Sequence, residues 1–356
     1  MVRGLLRACL ALSVLVLGAG CKPDISGAPS VIDSPRVLAV KSEPAEAAPK
    51  TAGAVEIAWS ALFVSPTGDE DPGVLDWALC TEHKALKTDG EISPDCLVPS
   101  GDALVDLGTG AAVAGELPDD GCRNFGPNPP LPKPGEPAPR PTDPDSTGGY
   151  YQPLRVAEAE SDGYEYTVGL TRISCGLARV SAEQSTDFNN TYRANENPVL
   201  SSVVLNPGDG ETPLAGDADS TVSVSAGSTV TLRASWPDCP LEPTCGDGIC
   251  GANEDKTSCP DDCKDPHGCT GSEPYVSFDL GSRQLVDRRE GMRVSWYAAG
   301  GSFEHDRTGQ TEADAATTYT DNSWTAPKSP GIVHLWAVLR DDRGGVDWGS
   351  FSVRVE

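Results

Sequence analysis

The chain has 356 residues, a formal net charge of −26 at pH 7, 38 Gly, 31 Pro, 12 Cys and only four His. An acidic balance of this size repels nucleic acid and anionic headgroups, so no nucleic-acid partner is expected and cations or basic partners are the favoured electrostatic company. The Gly and Pro content, with almost no apolar run of helical period, excludes a mainly helical fold and points to short strands joined by turns.

Arg3 and Arg7 flank an apolar run, Leu10 to Leu17, that closes on Gly18, Ala19, Gly20 and Cys21. This is the pattern of a signal peptide over residues 1–20. The run is far shorter than the roughly 20 residues needed to span a bilayer, and no second one follows, so no transmembrane helix is expected after cleavage. Small residues followed by Cys resemble the lipobox of bacterial lipoproteins, which implies acylation of Cys21 and a membrane-anchored mature chain. Gly18 stands where lipoboxes usually carry Leu, Val or Ile, and ordinary cleavage after Gly20 is the alternative. By the same resemblance, Lys22 after the Cys implies the outer membrane or cell surface. Losing Arg3 and Arg7 with the leader takes the net charge to −28.

Setting aside Cys9 in the leader and Cys21, ten Cys remain in an exported chain, which predicts five disulfides. Residues 21–34 read as a short polar tether. From 35 to 195 the pattern is that of a β-sandwich. Arg36 to Lys41 is predicted as an opening strand. Val55, Ile57, Trp59, Ala61 and Phe63 alternate along the next, and Leu75 to Cys80 forms a third around Trp77. Between Gly126 and Gly149 nine prolines in 24 residues forbid a ladder. Strands resume over Gln152 to Val156 and where Tyr164, Tyr166, Val168 and Leu170 share a face. Cys80 is expected to pair with Cys96 and Cys122 with Cys175, the rival being Cys80 with Cys175 across the sandwich.

A second sandwich is expected over 196–356, opening at Pro198, Val199 and Leu200 much as the first opens at Pro35 to Leu38. Its core strands carry Val230, Leu232, Ala234 and Trp236, then Met292, Val294 and Trp296. Ile332 to Arg340 and Ser350 to Val355 close it as a hairpin turning at Asp341 to Gly345. Tyr275 to Leu280 is also expected to serve it as a sandwich strand. The fold class is all-β: two immunoglobulin-like sandwiches with a disulfide-rich module, 239–269, inserted in the second.

That module holds Cys239, Cys245, Cys250, Cys259, Cys263 and Cys269 within 31 residues, too few for an apolar core, so disulfides of about 2–4 kcal/mol each must hold it together. Zinc is the rival, but the spacings give no two knuckle pairs and an exported chain is not kept reduced. Asp247, Asn253, Glu254, Asp261 and Asp262 supply the oxygen donors that a structural Ca²⁺ takes; the alternative is surface acids on a disulfide knot. No other cofactor is expected.

The run Cys245-Gly246-Asp247-Gly248-Ile249-Cys250, then Glu254 and Cys259-Pro260-Asp261-Asp262-Cys263, resembles a cysteine-rich repeat of myxobacterial secreted proteins. Gly148 to Pro153, Asn195 to Pro198, Trp324 to Pro327 and Asp341 to Gly345 are similar to segments of myxobacterial immunoglobulin-like lipoproteins. The resemblance implies a cell-surface protein and carries over no catalytic residue. No Gly-x-Ser-x-Gly, His-Glu-x-x-His or phosphate-binding Gly loop occurs, and Glu304-His305-Asp306 is the one local acid–base cluster. Trp59, Trp77, Trp236, Trp296 and Trp336 fall on predicted strands and read as core.

A non-enzymatic envelope lipoprotein is therefore expected, serving in adhesion, envelope structure or binding of an envelope-protein partner. A carbohydrate- or peptide-binding module is the second reading and requires an exposed aromatic or polar patch, with Trp324 and Trp348 as the residues to inspect. A hydrolase without a recognisable motif is the third.

Overall fold

The structure, a computed structural model, describes residues 29–49, 55–84, 89–129, 134, 149–160, 163–208, 210–215, 222–241, 244–247, 254, 257–263 and 269–356. The leader and Cys21 lie outside the described residues, as do Cys250, Asn253 and most of the proline-rich stretch. Among the described residues no helix is long and apolar enough to cross a membrane.

The first sandwich comprises β1 (Arg36–Glu43), β2 (Glu46–Ala47), β3 (Ile57–Ser65), β4 (Gly68–Asp69), β5 (Asp76–Cys80), β6 (Leu104–Thr109), β7 (Ala112–Gly115), β8 (Gly149–Glu160) and β9 (Gly163–Ser174). One sheet runs β1-β3-β4 with β7 also on β3; the other runs β2-β9-β8-β5-β6. Between them Ile57, Trp59 and Phe63 of the first sheet meet Trp77, Leu79, Leu154, Val156 and Ile173 of the second, all buried. The period of two seen in the sequence is thus the inward face of β3. Val55 corrects it: this residue lies before the first ladder position of the strand, Ile57, and is 44% exposed. On β9 the core contact comes from Thr171 and Ile173, with the Trp59 indole donating to Thr171 Oγ1 at 2.8 Å, while Leu170 and Tyr164 face outward.

Two helices follow or interrupt the strands, α1 (Gly121–Phe125) and α2 (Ala182–Thr191). Helix α2 starts at a reciprocal cap: Ser181 Oγ accepts from Gln184 N while the Gln184 side chain accepts from Ser181 N, and Phe188 is its one buried residue. Such a short helix lacks the repeated apolar stripe that marks helices in a sequence, so it goes unannounced there.

The second sandwich comprises β10 (Ser202–Leu205), β11 (Thr212–Pro213), β12 (Val222–Val224), β13 (Thr229–Ser235), then, after the module, β14 (Pro274–Asp279), β15 (Gln284–Arg289), β16 (Met292–Ala298), β17 (Ser302–Phe303), β18 (Arg307–Gln310), β19 (Tyr319–Thr325), β20 (Gly331–Arg340) and β21 (Val346–Val355). Its sheets are β11-β10-β13-β19-β17 and β12-β21-β20-β16-β18, with β12 parallel to the closing β21. Leu232, Ala234, Trp236, Val294, Trp296, Trp324, Leu335 and Leu339 fill the space between them. Strand β14 corrects the sequence expectation. Among the described residues it pairs only with β15, as a separate two-stranded hairpin outside both sheets, and Leu280 at its end is 55% exposed. The excursion from the sandwich therefore runs from the end of β13 to the start of β16, well past residue 269.

The two sandwiches pack on one another. Leu62 and Val64 on the outer face of β3, with Ala39 and Ile32, bury against Trp336, Val338 and Val346 of β20 and β21. Ile32 is 1% exposed, and a backbone bridge ties it to Ala298, so the end of the expected tether is part of this contact. The Trp336 indole donates to Asp69 at 2.7 Å, Arg340 to the Leu38 carbonyl at 3.0 Å and Lys41 to Asp347 at 3.2 Å.

Candidate functional site

The disulfides fix where the loops can go. Cys80 is bridged to Cys96 and Cys122 to Cys175. The first bridge draws Ile92 and Leu97 back over the outer face of β5, where they pack beside the cystine. In the module Cys239 is bridged to Cys269 with Cα atoms 5.5 Å apart, so both ends of the insertion leave one point, and Cys245 is bridged to Cys259. Cys263 is also disulfide-bonded. Arg289 on β15 donates to the carbonyls of Cys239 and Ser272, latching the β14–β15 hairpin to that neck.

Of the five oxygen donors, the module brings together three. Carboxylate oxygens of Asp247, Glu254 and Asp262 lie within 4.8 Å of one another, with Glu254 buried. Asp261 is exposed and stands outside the group, and Asn253 lies outside the described residues. One Glu254 oxygen accepts from Thr244 N and one Asp262 oxygen from Gly246 N. Holding loop backbone is thus a role these carboxylates already have. Cys245 and Cys259 also adjoin Glu254, but their mutual bridge removes them as zinc ligands.

A buried ionic joint sits where both sandwiches and the β14–β15 hairpin meet. The β20–β21 turn folds inward and buries Arg343 at 1% exposure. The turn needs its glycines: Gly344 has φ of +104°, and a Cβ on Gly345 would lie 2.1 Å from Asp341 Oδ2. Arg343 donates to Glu290 Oε1 at 2.6 Å, Glu273 Oε2 at 2.8 Å and the Arg193 carbonyl at 3.0 Å, and covers the Tyr275 ring at 4.8 Å. Beside it Arg172 pairs with buried Glu46 at 3.0 Å, and Tyr192 donates to the same carboxylate at 2.7 Å. Burial pushes the carboxyls up, against the pull of Arg343: Glu273 to about 8, and Glu290 and Asp341 upward. Glu196 rises to about 7 through burial and the neighbouring Glu43. Burial thus shifts these carboxyls toward their protonated forms, and the joint ties the β20–β21 turn to the β14–β15 hairpin.

The outer face of β9 and β8 is different. Tyr164 and Tyr166 stack there, ring centroids 6.1 Å apart and planes 20° from parallel, and Tyr164 is 45% exposed. They stand opposite Ala159 and Ala157 of β8, both small residues. The Arg155 guanidinium lies 6.0 Å from the Tyr166 centroid. It donates to the Val98 carbonyl at 2.7 Å and is paired with Asp76. Arg155, Asp76, Asp106, Ser100, Gly101, Pro99, Ala78 and Leu104 line a shallow cavity of about 150 Å³ between β5, β6 and the disulfide-held loop. Sequence alternation placed both tyrosines on one face; that this face looks away from the core follows only from Thr171 and Ile173 taking the inner side.

The remaining aromatic and acid–base candidates are placed plainly. Trp59, Trp77, Trp236, Trp296, Trp324 and Trp336 are all buried, and Trp348 packs at the domain contact. Glu304 and His305 are both 63% exposed, 3.9 Å apart.

No protein-family model matches the chain, and no curated protein matches it. Among solved structures it is similar to the D0-D1 domain of Intimin (8% identity, 90% of this chain and 96% of that one, TM-score 0.18) and the D00-D0 domain of Intimin (11%, 91% and 98%, TM-score 0.20). A third is dimeric latent PorU from Porphyromonas gingivalis (8%, 91% and 34%, TM-score 0.17). At these TM-scores the likeness carries neither family nor activity, and the all-β, immunoglobulin-like architecture stands on the strand topology itself.

Proposed function

We propose that this chain is a non-enzymatic lipoprotein of the cell envelope, anchored through Cys21 and working by adhesion or partner binding. One observation carries the reading. Two sandwiches are locked by the apolar contact around Trp336 and the Arg343 joint, and the pair presents a patch, exposed Tyr164 with part-buried Tyr166 beside the Arg155 cavity, on the outer face of a sheet. Rigid presentation suits binding, because little order must be gained on contact. The signal sequence and small-residue approach to Cys21 support export and acylation, and the cysteine-rich resemblance supports a surface role.

Two measurements test it. Cys21→Ser should move the protein from membranes to the soluble fraction, and continued membrane retention would refute the anchor. Cells lacking the protein should lose attachment to a surface or partner cell, and unimpaired attachment in a panel of substrates would refute adhesion.

A further inference from the structure

We infer that the outer face of the first sandwich, where Tyr164 and Tyr166 border the Arg155–Asp76–Asp106 cavity, is a binding site for a neutral glycan. The inference rests on the binding role proposed above and names its ligand class.

The two rings stack on alternate residues of β9 opposite small residues of β8, and Tyr164 is 45% exposed. A ring face of this kind takes apolar C–H surface without needing a deep pocket. Sugar rings offer such a face, bounded by hydroxyls at their rim. The rim chemistry is present next door. Arg155 lines the cavity and its guanidinium lies 6.0 Å from the Tyr166 centroid, so platform and cavity adjoin. The Asp76 and Asp106 carboxylates accept from hydroxyls, Ser100 donates or accepts, and the buried Arg155 holds Asp76 in place.

The floor is preorganised. Arg155 is 1% exposed and held by the Val98 and Pro99 carbonyls and by Asp76, and the lip is held by the Cys80–Cys96 bridge. A cavity of about 150 Å³ has room for a single sugar unit rather than an extended chain segment, leaving neighbouring units to lie over the tyrosines.

Charge selects among glycans. Asp76 and Asp106 flank the cavity on a chain of net charge −26, so uronic or sulfated polymers meet repulsion that neutral ones do not. A peptide added to the β6 edge is the competing occupant. The β5–β6 register shifts between Trp77 and Ala78, leaving Leu107 as an extra residue on the β6 edge, and that edge carries exposed Asp106, both of which obstruct strand addition.

The test is affinity electrophoresis of the mature chain through gels holding soluble dextran, laminarin, galactan or xylan, with alginate as the acidic comparison. At least one neutral polymer should retard the protein. Tyr164→Ala with Tyr166→Ala should abolish retardation, Asp106→Asn should weaken binding about tenfold, and Tyr319→Ala on the second sandwich should change nothing. These side chains lie on the surface, so an unchanged melting curve shows each variant folded. No retardation by any neutral polymer, retardation by alginate alone, or full retardation of the double tyrosine variant overturns the inference. The double variant also separates the two proposals. If cells carrying it still attach while cells lacking the protein do not, adhesion stands and the glycan site falls.

Discussion

Arg343 Nε donates to Glu290 Oε1 at 2.6 Å although each side chain is only 1% exposed, and the same guanidinium reaches Glu273, 70 residues away in the chain. A hairpin turn of the second sandwich is thereby neutralised by the two ends of the β14–β15 hairpin. Removing one partner from such a buried set leaves the others uncompensated, which costs about 3–5 kcal/mol. Arg343→Leu should lower stability by that order in urea titrations, whereas Glu290→Gln, which keeps a hydrogen-bonding side chain and resembles the protonated carboxyl that burial favours, should cost far less. Equal losses in the two variants would mean that packing, not charge, governs the joint.

The protons held there give the protein a direction of pH dependence. Glu273 at about 8 and Glu196 at about 7 both lie above the ordinary value of 4.5, and Glu290 and Asp341 shift the same way, mainly through burial. A folded state that binds protons more tightly than the unfolded one loses stability as pH rises. Their contribution is therefore full below about pH 4.5 and declines between there and pH 8. The melting temperature should fall across pH 5–9, and Glu273→Gln should flatten that fall; a melting temperature that climbs over the same range in the parent protein would contradict the assignment.

Trp336 is the central side chain of the contact between sandwiches, 1% exposed and packed with Val338, Leu62 and Val64. Because both halves share this surface, calorimetry should give one unfolding transition. Trp336→Ala should cost about 3–5 kcal/mol and split the transition in two. Two transitions in the unsubstituted protein would mean that the halves unfold independently.

The cores were legible in the sequence because alternation reports burial directly, as at Ile57, Trp59 and Phe63 or Leu232 and Ala234. Alternation does not report what does the burying. Tyr275 to Phe278 carries the same pattern as a sandwich strand and forms a hairpin instead. Asp341 to Gly345 reads as an ordinary polar turn, because its partners Glu273 and Glu290 are set by tertiary contact and leave no local trace. One signal for the domain contact was available: Ala61 to Val64 and Leu335 to Leu339 are continuous apolar runs, as strands covered on both faces require. For the candidate site, the sequence put Tyr164 and Tyr166 on one face, but Arg155 and Asp76 join them only through sheet register.

The cysteine module and the hairpin that follows it should respond oppositely to deletion. Residues 240–268 leave and return at the Cys239–Cys269 bridge, whose Cα atoms are 5.5 Å apart, so a two-residue join spans the gap without moving the sandwich. Their contact with the rest includes Arg193 donating to the Glu254 carbonyl at 3.5 Å, a weak bond. Deleting them should leave the melting temperature within a few degrees of the parent. Extending the deletion to residue 291 removes Glu273 and Glu290 together and strands Arg343 in the interior, which should cost about 3–5 kcal/mol or prevent folding. Adding Arg343→Leu to the longer deletion removes the stranded charge and should recover part of the loss. If the shorter deletion already unfolds the protein, the module is an integral part of the second sandwich and the hairpin's carboxylates are not what fixes the boundary.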